Sequence, residues 1–357
     1  MYWLPETGEN SCSINYIKDD ALYCIMVVRY TVEKLEDLPG IGSATLAKLK
    51  EAGIETLEDL EGLDVDDLMD IGLSKATAKK VYNAFHKARE IPVQTGTEVE
   101  QIEKKKKYLK THTDLDDLLG GGFKESYLYE FYGQFATGKS EIGHTLAVRA
   151  QLPEEHGGLN GKVIFIDTEN TFSPKRIREI GAYVLKKHKI EGHPDQFLEN
   201  IFVARTFTST DLYSFVINTL PRLVRDNPDI KLIVIDSVTA PFRAEYTDLN
   251  ELPKRQKKIG EILMKLHEIS VGMFDGNYRV VYYTNQVATR IGPFVNPTAA
   301  ETHVGGNILG HRAQYRVYLR KSRDNLRIAR LVDAHDLPTQ EVLFKIGPGG
   351  IMPAKQK

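Results

Sequence analysis

The 357-residue sequence has only two cysteines, Cys12 and Cys24, and both lie close to its beginning. The remainder of the chain can therefore build neither a disulfide framework nor a thiolate metal site. This cysteine usage fits a reducing cytoplasm. Residues 1–30 also contain the only tryptophan. We interpret them as an N-terminal extension, untranslated or disordered, in which Met26 is the expected biological start.

Long apolar runs are absent, and none approaches the roughly 20 residues that a membrane-spanning helix needs. The first segment carries Glu6, Glu9, Asp19 and Asp20 where a signal peptide would need positive charge. We therefore predict a cytoplasmic protein without a membrane partner.

The sequence also has no excess of positive charge. The formal net charge of −2 gives no overall attraction to DNA, so a DNA-binding surface would need a local cluster of Lys and Arg.

Chain length and periodicity indicate two domains, because one hydrophobic core rarely extends over 357 residues. Residues 31–89 show short amphipathic helices around glycine turns, which predicts a small all-α helix-hairpin-helix domain. One turn is Leu-Pro-Gly-Ile-Gly at 38–42, and a weaker copy follows at 71–72. Residues 90–112 are predicted to be a linker that ends in a strand and carries a solvated charge run. Residues 113–357 form the predicted larger domain.

The larger domain has the pattern of an α/β fold. From residue 126 onward, short apolar β-rich runs alternate with helical stretches, which predicts βαβ units and a mainly parallel sheet with helices on both faces. After residue 314, three more apolar runs are separated by turns. They predict antiparallel strands added to one edge of the sheet.

A phosphate-binding loop is predicted where the sequence reads Gly-Gln-Phe-Ala-Thr-Gly-Lys-Ser, between a predicted strand and a predicted helix. In such a loop, consecutive backbone N–H groups face the phosphates, the lysine reaches the β- and γ-phosphates, and the hydroxyl binds Mg²⁺. We therefore predict ATP and Mg²⁺ as ligands. The predicted nucleotide-binding residues of the loop are Gly133, Gln134, Phe135, Ala136, Thr137, Gly138, Lys139 and Ser140.

Two carboxylates follow predicted central strands. Asp236 ends the strand Lys-Leu-Ile-Val-Ile-Asp and is expected to hold the Mg²⁺ together with Ser140. Glu169 follows the strand Lys-Val-Ile-Phe-Ile-Asp and is our candidate general base, which would orient a water molecule in line with the γ-phosphate. The alternative for the cluster 167–169 is a helix N-cap.

From about Leu35 to its C-terminus, the sequence resembles the archaeal RadA recombinases and their eukaryotic relatives, within the wider RecA class. The resemblance is carried by segments such as GQFATGKSEIGHTLAVRAQLP, VIFIDTENTFSPKRI, YTNQVATR and VGGNILGHRAQYRVYLRKS. It implies a RecA-type ATPase core behind a helix-hairpin-helix domain. It further implies a nucleoid-associated, DNA-dependent ATPase that forms homo-oligomeric filaments on single-stranded DNA, exchanges strands with duplex DNA and works with recombination accessory proteins.

The resemblance also assigns roles to individual residues. Lys139 and Ser140 match the family's phosphate and magnesium ligands, and Glu169 matches its catalytic carboxylate. Lys139 is also expected to act in catalysis. Arg176 matches an arginine that stacks on adenine, and Gln286 matches the catalytic γ-phosphate sensor. Two further matches concern the contact between subunits. They are His311, a histidine that responds to ATP across the interface, and Asp333, an acidic cap over the neighbouring nucleotide.

Three segments fit DNA binding. The first is a predicted loop from Arg243 to Arg255, and the second is a long predicted loop from Val287 to Gly310 that is rich in Gly, Pro and Thr. The third is the 38–42 turn, which would offer backbone N–H groups to a duplex phosphate, the alternative being a turn used only for packing. The predicted DNA-binding residues are Arg243, Arg290, Gly305, Gly306, Asn307, Gly40 and Gly42.

The sequence departs from the family pattern in three places. Val93 and Gly96 stand where the family has a Phe and a small residue that dock on the neighbouring core, which predicts weaker polymerisation. Leu249 lies where the family usually has Gly-Arg-Gly, and the cap region lacks a second acidic residue. These departures leave open a recombinase paralogue that binds ATP and DNA as a mediator with weak strand exchange. A regulatory RecA-fold ATPase without DNA conflicts with the hairpin domain and the long glycine-rich loop.

Overall fold

The N-terminal domain consists of short helices around its own hydrophobic core. The computed structural model describes residues 29–30, 32, 34–60, 63–90, 93–289, 301–303 and 312–355. Strand β1 (Arg29–Tyr30) pairs antiparallel with β2 (Arg89–Glu90), which joins the two ends of the domain. Its helices are α1 (Ser43–Glu51), α2 (Val65–Asp70) and α3 (Lys75–Ala88). Leucines from all parts of the domain pack against Phe85 on α3. The predicted extension 1–30 lies almost entirely outside the described residues.

The segment predicted to be a linker contains a helix, α4 (Gly96–Lys105). Its N-terminus is set by a capping box, in which the Thr95 and Glu98 side chains each accept a hydrogen bond from the other's backbone N–H group. The prediction that the charge run 100–107 is only a solvated face is partly wrong. Ile102 and Lys106 in this run are buried, and the Lys106 ammonium lies 5.1 Å from the ring centroid of Tyr278. The strand predicted to end the linker is β3 (Tyr108–Leu109), which pairs with β4 (Phe123–Lys124).

The large domain is built on one sheet whose central strands are parallel. These strands are β5 (Leu128–Gly133), β6 (Lys162–Asp167), β7 (Ile201–Arg205), β8 (Ile230–Asp236), β9 (Val280–Thr289) and β11 (Tyr315–Lys321). Their order is β11-β5-β9-β8-β6-β7, with every neighbouring pair parallel. The remaining strands are β10 (Glu301–His303), β12 (Leu326–Ala334), β13 (Glu341–Gly347) and β14 (Gly350–Pro353). Strand β10 pairs antiparallel with β9.

The predicted antiparallel edge is partly wrong. Strand β11, the first of the three predicted edge strands, pairs parallel with β5, and only β12, β13 and β14 continue antiparallel from it. Both faces of the first part of β11 are covered, as in a central strand: Tyr315, Val317 and Leu319 are buried on one face and Arg316 on the other. A short apolar run is compatible with either strand direction, so the sequence pattern alone did not distinguish them.

Helices cover both faces of the sheet. One face is covered by α5 (Asp114–Leu118), α6 (Lys139–Arg149), α7 (Pro174–His188) and α8 (Gln196–Glu199). The other is covered by α9 (Ser209–Ser214), α10 (Leu220–Asp226), α11 (Ala240–Glu245) and α12 (Leu252–Ser270). Because the strands alternate, Phe165 packs into the first layer and Ile166 into the second. Because β5, β6, β8 and β9 run parallel, their carboxyl ends meet at one edge of the sheet.

A contact between the two domains involves α10. Arg225 donates hydrogen bonds to Asp59 Oδ1 at 3.0 Å and to Thr56 Oγ1 at 3.2 Å. The Asp59 side chain is only 7% exposed. Its pKa is lowered despite burial, because backbone N–H groups of Thr56 and Glu55 and the Arg225 guanidinium stabilise the carboxylate. This ion pair orients the helical domain against the outer helix layer.

A buried ion pair joins three central strands. Glu130 on β5 is fully buried, and its Oε2 accepts a hydrogen bond from Arg316 Nε on β11 at 2.7 Å. Its Oε1 accepts one from Asn285 Nδ2 on β9, also at 2.7 Å. Asn285 Oδ1 in turn accepts a hydrogen bond from Thr239 Oγ1 at 2.8 Å. The charged groups are thus paired in the sheet interior, directly below the strand ends.

We expect Arg316→Ala to lower the free energy of unfolding by about 3–5 kcal/mol, because it leaves the Glu130 carboxylate buried without its partner. Guanidinium unfolding followed by circular dichroism measures the change. The matched control is Arg320→Ala on the same strand, where the arginine is 48% exposed and pairs with Glu341. That variant should lose about 0–1 kcal/mol. Equal losses in the two variants would contradict the assigned role of the buried pair.

Candidate nucleotide-binding site

The phosphate-binding loop connects β5 directly to α6. Every residue of β5 is buried, so the loop that follows starts from a fixed point. Ala136 and Gly138 have positive φ values of 59° and 102°. A Cβ atom on Gly138 would lie 3.2 Å from Ile346 Cδ1, so the backbone conformation favours glycine and the close approach of β13 leaves little room for a side chain. Thr137 Oγ1 closes the turn with a hydrogen bond to Gln134 O at 2.9 Å.

Lys139, the first residue of α6, lies folded against this loop. Its Nζ donates hydrogen bonds to the carbonyl oxygens of Gly133 and Gln134, both at 2.9 Å. Burial lowers the pKa of the Lys139 ammonium, although the nearby carboxylates of Asp236 and Glu169 act in the opposite direction. The ammonium is therefore held beside the loop, next to two acidic groups.

Asp236 ends β8 at the centre of the same edge. Its side chain is almost completely buried and accepts hydrogen bonds from Thr284 Oγ1 on β9 and, at 2.9 Å, from Thr171 Oγ1. These two hydroxyls fix the carboxylate next to the phosphate-binding loop. The structure thus brings Asp236 and Ser140 to one cavity, where an oxygen-preferring cation such as Mg²⁺ would find a carboxylate and a hydroxyl.

Glu169 is exposed at the tip of β6, but its carboxylate is held in place. Glu169 Oε1 accepts hydrogen bonds from Ser237 Oγ at 2.7 Å and from Gln286 Nε2 at 3.2 Å. Gln286 Oε1 accepts a hydrogen bond from Arg243 Nη1 at 2.6 Å. The contacts form a continuous chain from Arg243 through Gln286 to Glu169.

The loop after β6 does not use its acidic residues to cap the next helix. Asp167 accepts hydrogen bonds from the backbone N–H groups of Thr171 and Phe172, at 2.9 and 3.1 Å. The N-cap of α7 is Ser173, whose hydroxyl accepts from Arg176 N. The N-cap alternative for residues 167–169 is therefore not supported, and the Glu169 side chain is left at the cavity.

One cavity of about 810 Å³ collects these groups. It is lined by the whole loop 133–140 and by Glu169, Asp236 and Gln286, which come from three other strand ends. Four lining residues were not predicted from the sequence: Glu141, Thr171, Arg327 and Ile346. Glu141 and Thr171 each lie close in sequence to a predicted site residue. Arg327 on β12 and Ile346 on β13 belong to the antiparallel strands, where no local motif marks them.

Arg327 faces the loop with an incompletely satisfied guanidinium. Its Nη1 donates hydrogen bonds to the carbonyl oxygens of Asp324 and Leu326, at 3.2 and 2.9 Å. Among the described residues, its buried Nε has no hydrogen-bond partner. The residue adds positive charge to a cavity that already contains Lys139. An anionic ligand such as a triphosphate would accept hydrogen bonds from the N–H groups of Arg327 and from Lys139.

Other predicted site residues lie outside the cavity or outside the described residues. Arg176 is bound by Glu141, by Glu179 and by the carbonyl oxygen of Gly347. Its partner Glu141 also lines the cavity. Asp333 is exposed near the end of β12. The predicted residues Arg290, Gly305, Gly306, Asn307 and His311 lie outside the described residues.

The predicted DNA-binding loops are shorter than expected. Helix α11 continues through Arg243 to Glu245, and α12 begins at Leu252, so Arg243 and Arg255 lie on helices rather than on a loop. Strand β9 continues to Thr289, which moves the start of the second predicted loop. In the helical domain, Gly40 has a positive φ of 81° and Gly42 is the N-cap of α1, as a hairpin turn requires.

The described residues contain neither a cluster of metal-ligating side chains nor a membrane-spanning helix. Within the described ranges, no three or more His, Cys, Asp or Glu side chains cluster as metal ligands would. None of the helices in those ranges is long and apolar enough to cross a membrane.

Comparisons with known proteins cover both domains. A family model described as Rad51 matches residues 105–354, and one described as a SAM-like helix-hairpin-helix tandem matches residues 32–87. A DNA repair and recombination protein RadA from Methanoculleus marisnigri is 40% identical over 329 residues, which cover 89% of this chain and 98% of that protein. Proteins of the same name from Methanocorpusculum labreanum and Haloquadratum walsbyi are 39% and 38% identical, each over 90% of this chain and 99% of its own length.

We expect Arg327→Met to weaken the binding of Mg-ATP by about tenfold, the equivalent of one charge-assisted hydrogen bond of about 1.4 kcal/mol. Isothermal titration with a slowly hydrolysed ATP analogue measures the affinity. Arg330→Met is the matched control, because Arg330 lies on the same strand, is 52% exposed and approaches Glu341 rather than the cavity. An unchanged affinity in Arg327→Met would exclude Arg327 from the nucleotide site.

Proposed function

The chain belongs to the RadA family of recombinases, and from this premise we propose that it is a DNA-dependent ATPase that assembles with ATP on single-stranded DNA. It is a protein of DNA repair and homologous recombination. In our proposal it pairs the bound strand with homologous duplex DNA and exchanges strands. The observation that carries the proposal is the convergence of Lys139, Glu169, Asp236 and Gln286 on one cavity.

Each of these residues has a distinct proposed role in ATP hydrolysis. Lys139 leaves its carbonyl contacts and offsets negative charge on the β- and γ-phosphates. Glu169 orients the attacking water and accepts its proton, while the Ser237 hydroxyl keeps the carboxylate in place. Ser140 and Asp236 are the residues that would hold Mg²⁺. The ion, when bound, supplies charge neutralisation on the phosphate oxygens.

The chain of hydrogen bonds from Arg243 supports a link between DNA and the ATPase site. Arg243 is exposed on α11 and is a proposed DNA contact, while its guanidinium holds the Gln286 side chain. Gln286 in turn donates to the Glu169 carboxylate. A DNA phosphate that attracts Arg243 would release Gln286, and the amide would then be free to turn toward the γ-phosphate. We propose this exchange of partners as the basis of DNA-dependent turnover.

Self-assembly is proposed on two exposed features. Val93 is 96% exposed in the extended segment before α4, and β7 is the terminal strand of the sheet, paired among the described strands only with β6. An exposed strand edge is a ready acceptor for an extended segment from another subunit. Asp333 and His311 remain the proposed contacts to a neighbouring nucleotide. Valine offers less apolar surface than Phe, so we propose a weaker contact.

The helical domain is proposed to hold duplex DNA by the turn at Gly40 and Gly42. Arg290, Gly305, Gly306 and Asn307 remain proposed contacts for single-stranded DNA. We place this activity in the cytoplasm, at the nucleoid, with accessory proteins as further partners. The mediator alternative is not favoured, because it gives no reason for Glu169, Lys139 and Gln286 to share one cavity.

We expect single-stranded DNA to raise the rate of ATP hydrolysis, and Glu169→Gln to lower that rate by about 10²–10⁴-fold while ATP still binds. The glutamine keeps an acceptor for Ser237 but cannot take a proton. A phosphate-release assay with and without DNA measures both effects. Glu191→Gln, at an exposed carboxylate that does not line the cavity, should behave as the unmodified protein. Turnover that ignores DNA, or that survives in Glu169→Gln, would speak against the proposed ATPase.

Gln286→Ala should retain ATP binding and lose most of the stimulation by DNA, because the link between Arg243 and Glu169 is broken. The ratio of turnover with DNA to turnover without DNA is the relevant measurement. Asn218→Ala serves as the control, because it removes an exposed amide that does not line the nucleotide cavity. If the ratio is the same in Gln286→Ala and in the unmodified protein, the proposed link is wrong.

A further inference from the structure

A cluster of basic side chains lies at the far end of α6 from the phosphate-binding loop. The helix begins at Lys139 and ends at Arg149, so the two ends are about 15 Å apart at 1.5 Å per residue. Beside Arg149 are three histidines. The ring centroids of His112 and His156 lie 5.5 and 5.0 Å from that of His188. His112 Nε2 lies 2.9 Å from the carbonyl oxygen of His156.

Arg149 is a buried cation whose hydrogen bonding is incomplete among the described residues. The residue is 2% exposed, and in the described part of the chain its Nε and Nη1 have no hydrogen-bond partner. Burial lowers the pKa of the guanidinium to about 10, so it carries a charge at neutral pH. A buried charge in this state is costly unless it is paired.

The nearest carboxylate does not supply that pairing. Asp116 interacts electrostatically with Arg149, but its oxygens are already engaged. Asp116 Oδ1 accepts hydrogen bonds from the backbone N–H and the hydroxyl of Thr111, at 2.8 and 2.7 Å. Asp116 Oδ2 accepts one from the backbone N–H of His112 at 2.7 Å. These contacts hold the 111–116 turn, and the Nε and Nη1 donors of Arg149 remain without an acceptor among the described residues.

Two of the three histidines offer free donors near this guanidinium, because the Nε2–H group of His112 donates to the His156 carbonyl oxygen. All three are half-buried, so the cluster opens to solvent. The Nε2 atom of His188 is buried and has no partner among the described residues. Burial, followed by the charge of Arg149, lowers the pKa of His188 to about 4, so its ring is neutral at pH 7 and carries one N–H donor. The cationic Lys187 lies close enough to interact with Arg149.

The surrounding backbone holds the cluster together. Gly157, with a positive φ of 77°, lies so close to His112 that a Cβ atom there would be 3.0 Å from His112 Nε2. A Cβ atom on Gly158 would lie 2.8 Å from the carbonyl oxygen of Arg149. The 157–158 segment therefore joins the end of α6 to the histidines at close range. An exposed carboxylate, Glu155, lies on the rim, 3.9 Å from His156 Nε2.

We propose that Arg149, His112, His156 and His188 form a binding site for a free tetrahedral oxyanion of the sulfate or inorganic phosphate class. A guanidinium offers parallel N–H donors that match two oxygens of such an anion. The N–H groups of His156 and His188 supply donors for the remaining oxygens, while His112 holds the cluster together through its hydrogen bond to the His156 carbonyl oxygen. The anion provides an acceptor for the Nε and Nη1 donors of Arg149, which have none among the described residues. The site is separate from the nucleotide cavity and does not depend on the proposed ATPase activity.

Thermal unfolding in sulfate tests the proposal in a Lys139→Ala background, which removes the phosphate-binding lysine as a competing anion contact. At constant ionic strength, 10 mM sulfate in place of chloride should raise the unfolding midpoint by roughly 2–4 °C, as expected for about 1 kcal/mol in a domain of this size. Adding Arg149→Met should abolish the shift and raise the midpoint without sulfate, because an apolar side chain replaces an unpaired charge. Adding Arg330→Met, at an exposed arginine, should leave the shift intact.

A missing shift in Lys139→Ala, or an equal shift with and without Arg149→Met, would overturn the proposal. Should the Arg149→Met protein not fold, His188→Ala in the same background replaces it, and its sulfate shift should be at least halved. An undiminished shift there would count equally against the site. Duplex DNA distinguishes a free anion from a nucleic acid phosphate. DNA affinity should be the same with and without Arg149→Met, and a several-fold loss of affinity would assign the site to DNA instead.

Discussion

The buried ion pair between Glu130 and Arg316 positions the strands from which the site is built. Glu130 lies on β5, three residues before the phosphate-binding loop, and it also binds Asn285, the residue directly before Gln286. One fully buried carboxylate thus stabilises the register of β5 with its neighbours β11 and β9. Charges in the interior of a sheet tolerate little displacement, since a broken pair leaves an unpaired charge in a medium of low dielectric constant.

The cavity follows from that alignment. Parallel strands place their carboxyl ends at one edge, and β5, β6, β8 and β9 each deliver one functional group there. The groups are then locked by short side-chain hydrogen bonds, of which those from Thr171 to Asp236 and from Ser237 to Glu169 are examples. Only Lys139 and Gln286 are held by contacts that a ligand could replace, namely two carbonyl oxygens and the Arg243 guanidinium. The site therefore combines a rigid acidic part with two movable groups.

Local patterns predicted much of this arrangement. The phosphate-binding loop, Asp236 and Glu169 were found because each follows an apolar strand, and strand ends of one direction must meet. The direction of β11 was missed because Tyr315, Val317 and Leu319 suit a parallel or an antiparallel neighbour equally well. Arg327 and the basic cluster around Arg149 were missed because they arise from contacts between elements distant in sequence. The helix α4 was hidden in a charged segment whose capping box, Thr95 with Glu98, is visible in retrospect.

We propose that ATP in the 133–140 loop joins neighbouring copies of the chain on single-stranded DNA. Electron cryo-microscopy of the protein with DNA and a slowly hydrolysed ATP analogue tests this most directly. We expect regular helical filaments with a nucleotide in each cavity, between Lys139 of one subunit and Asp333 of the next. Filaments without nucleotide in that cavity, or separate particles that leave the DNA bare, would contradict it.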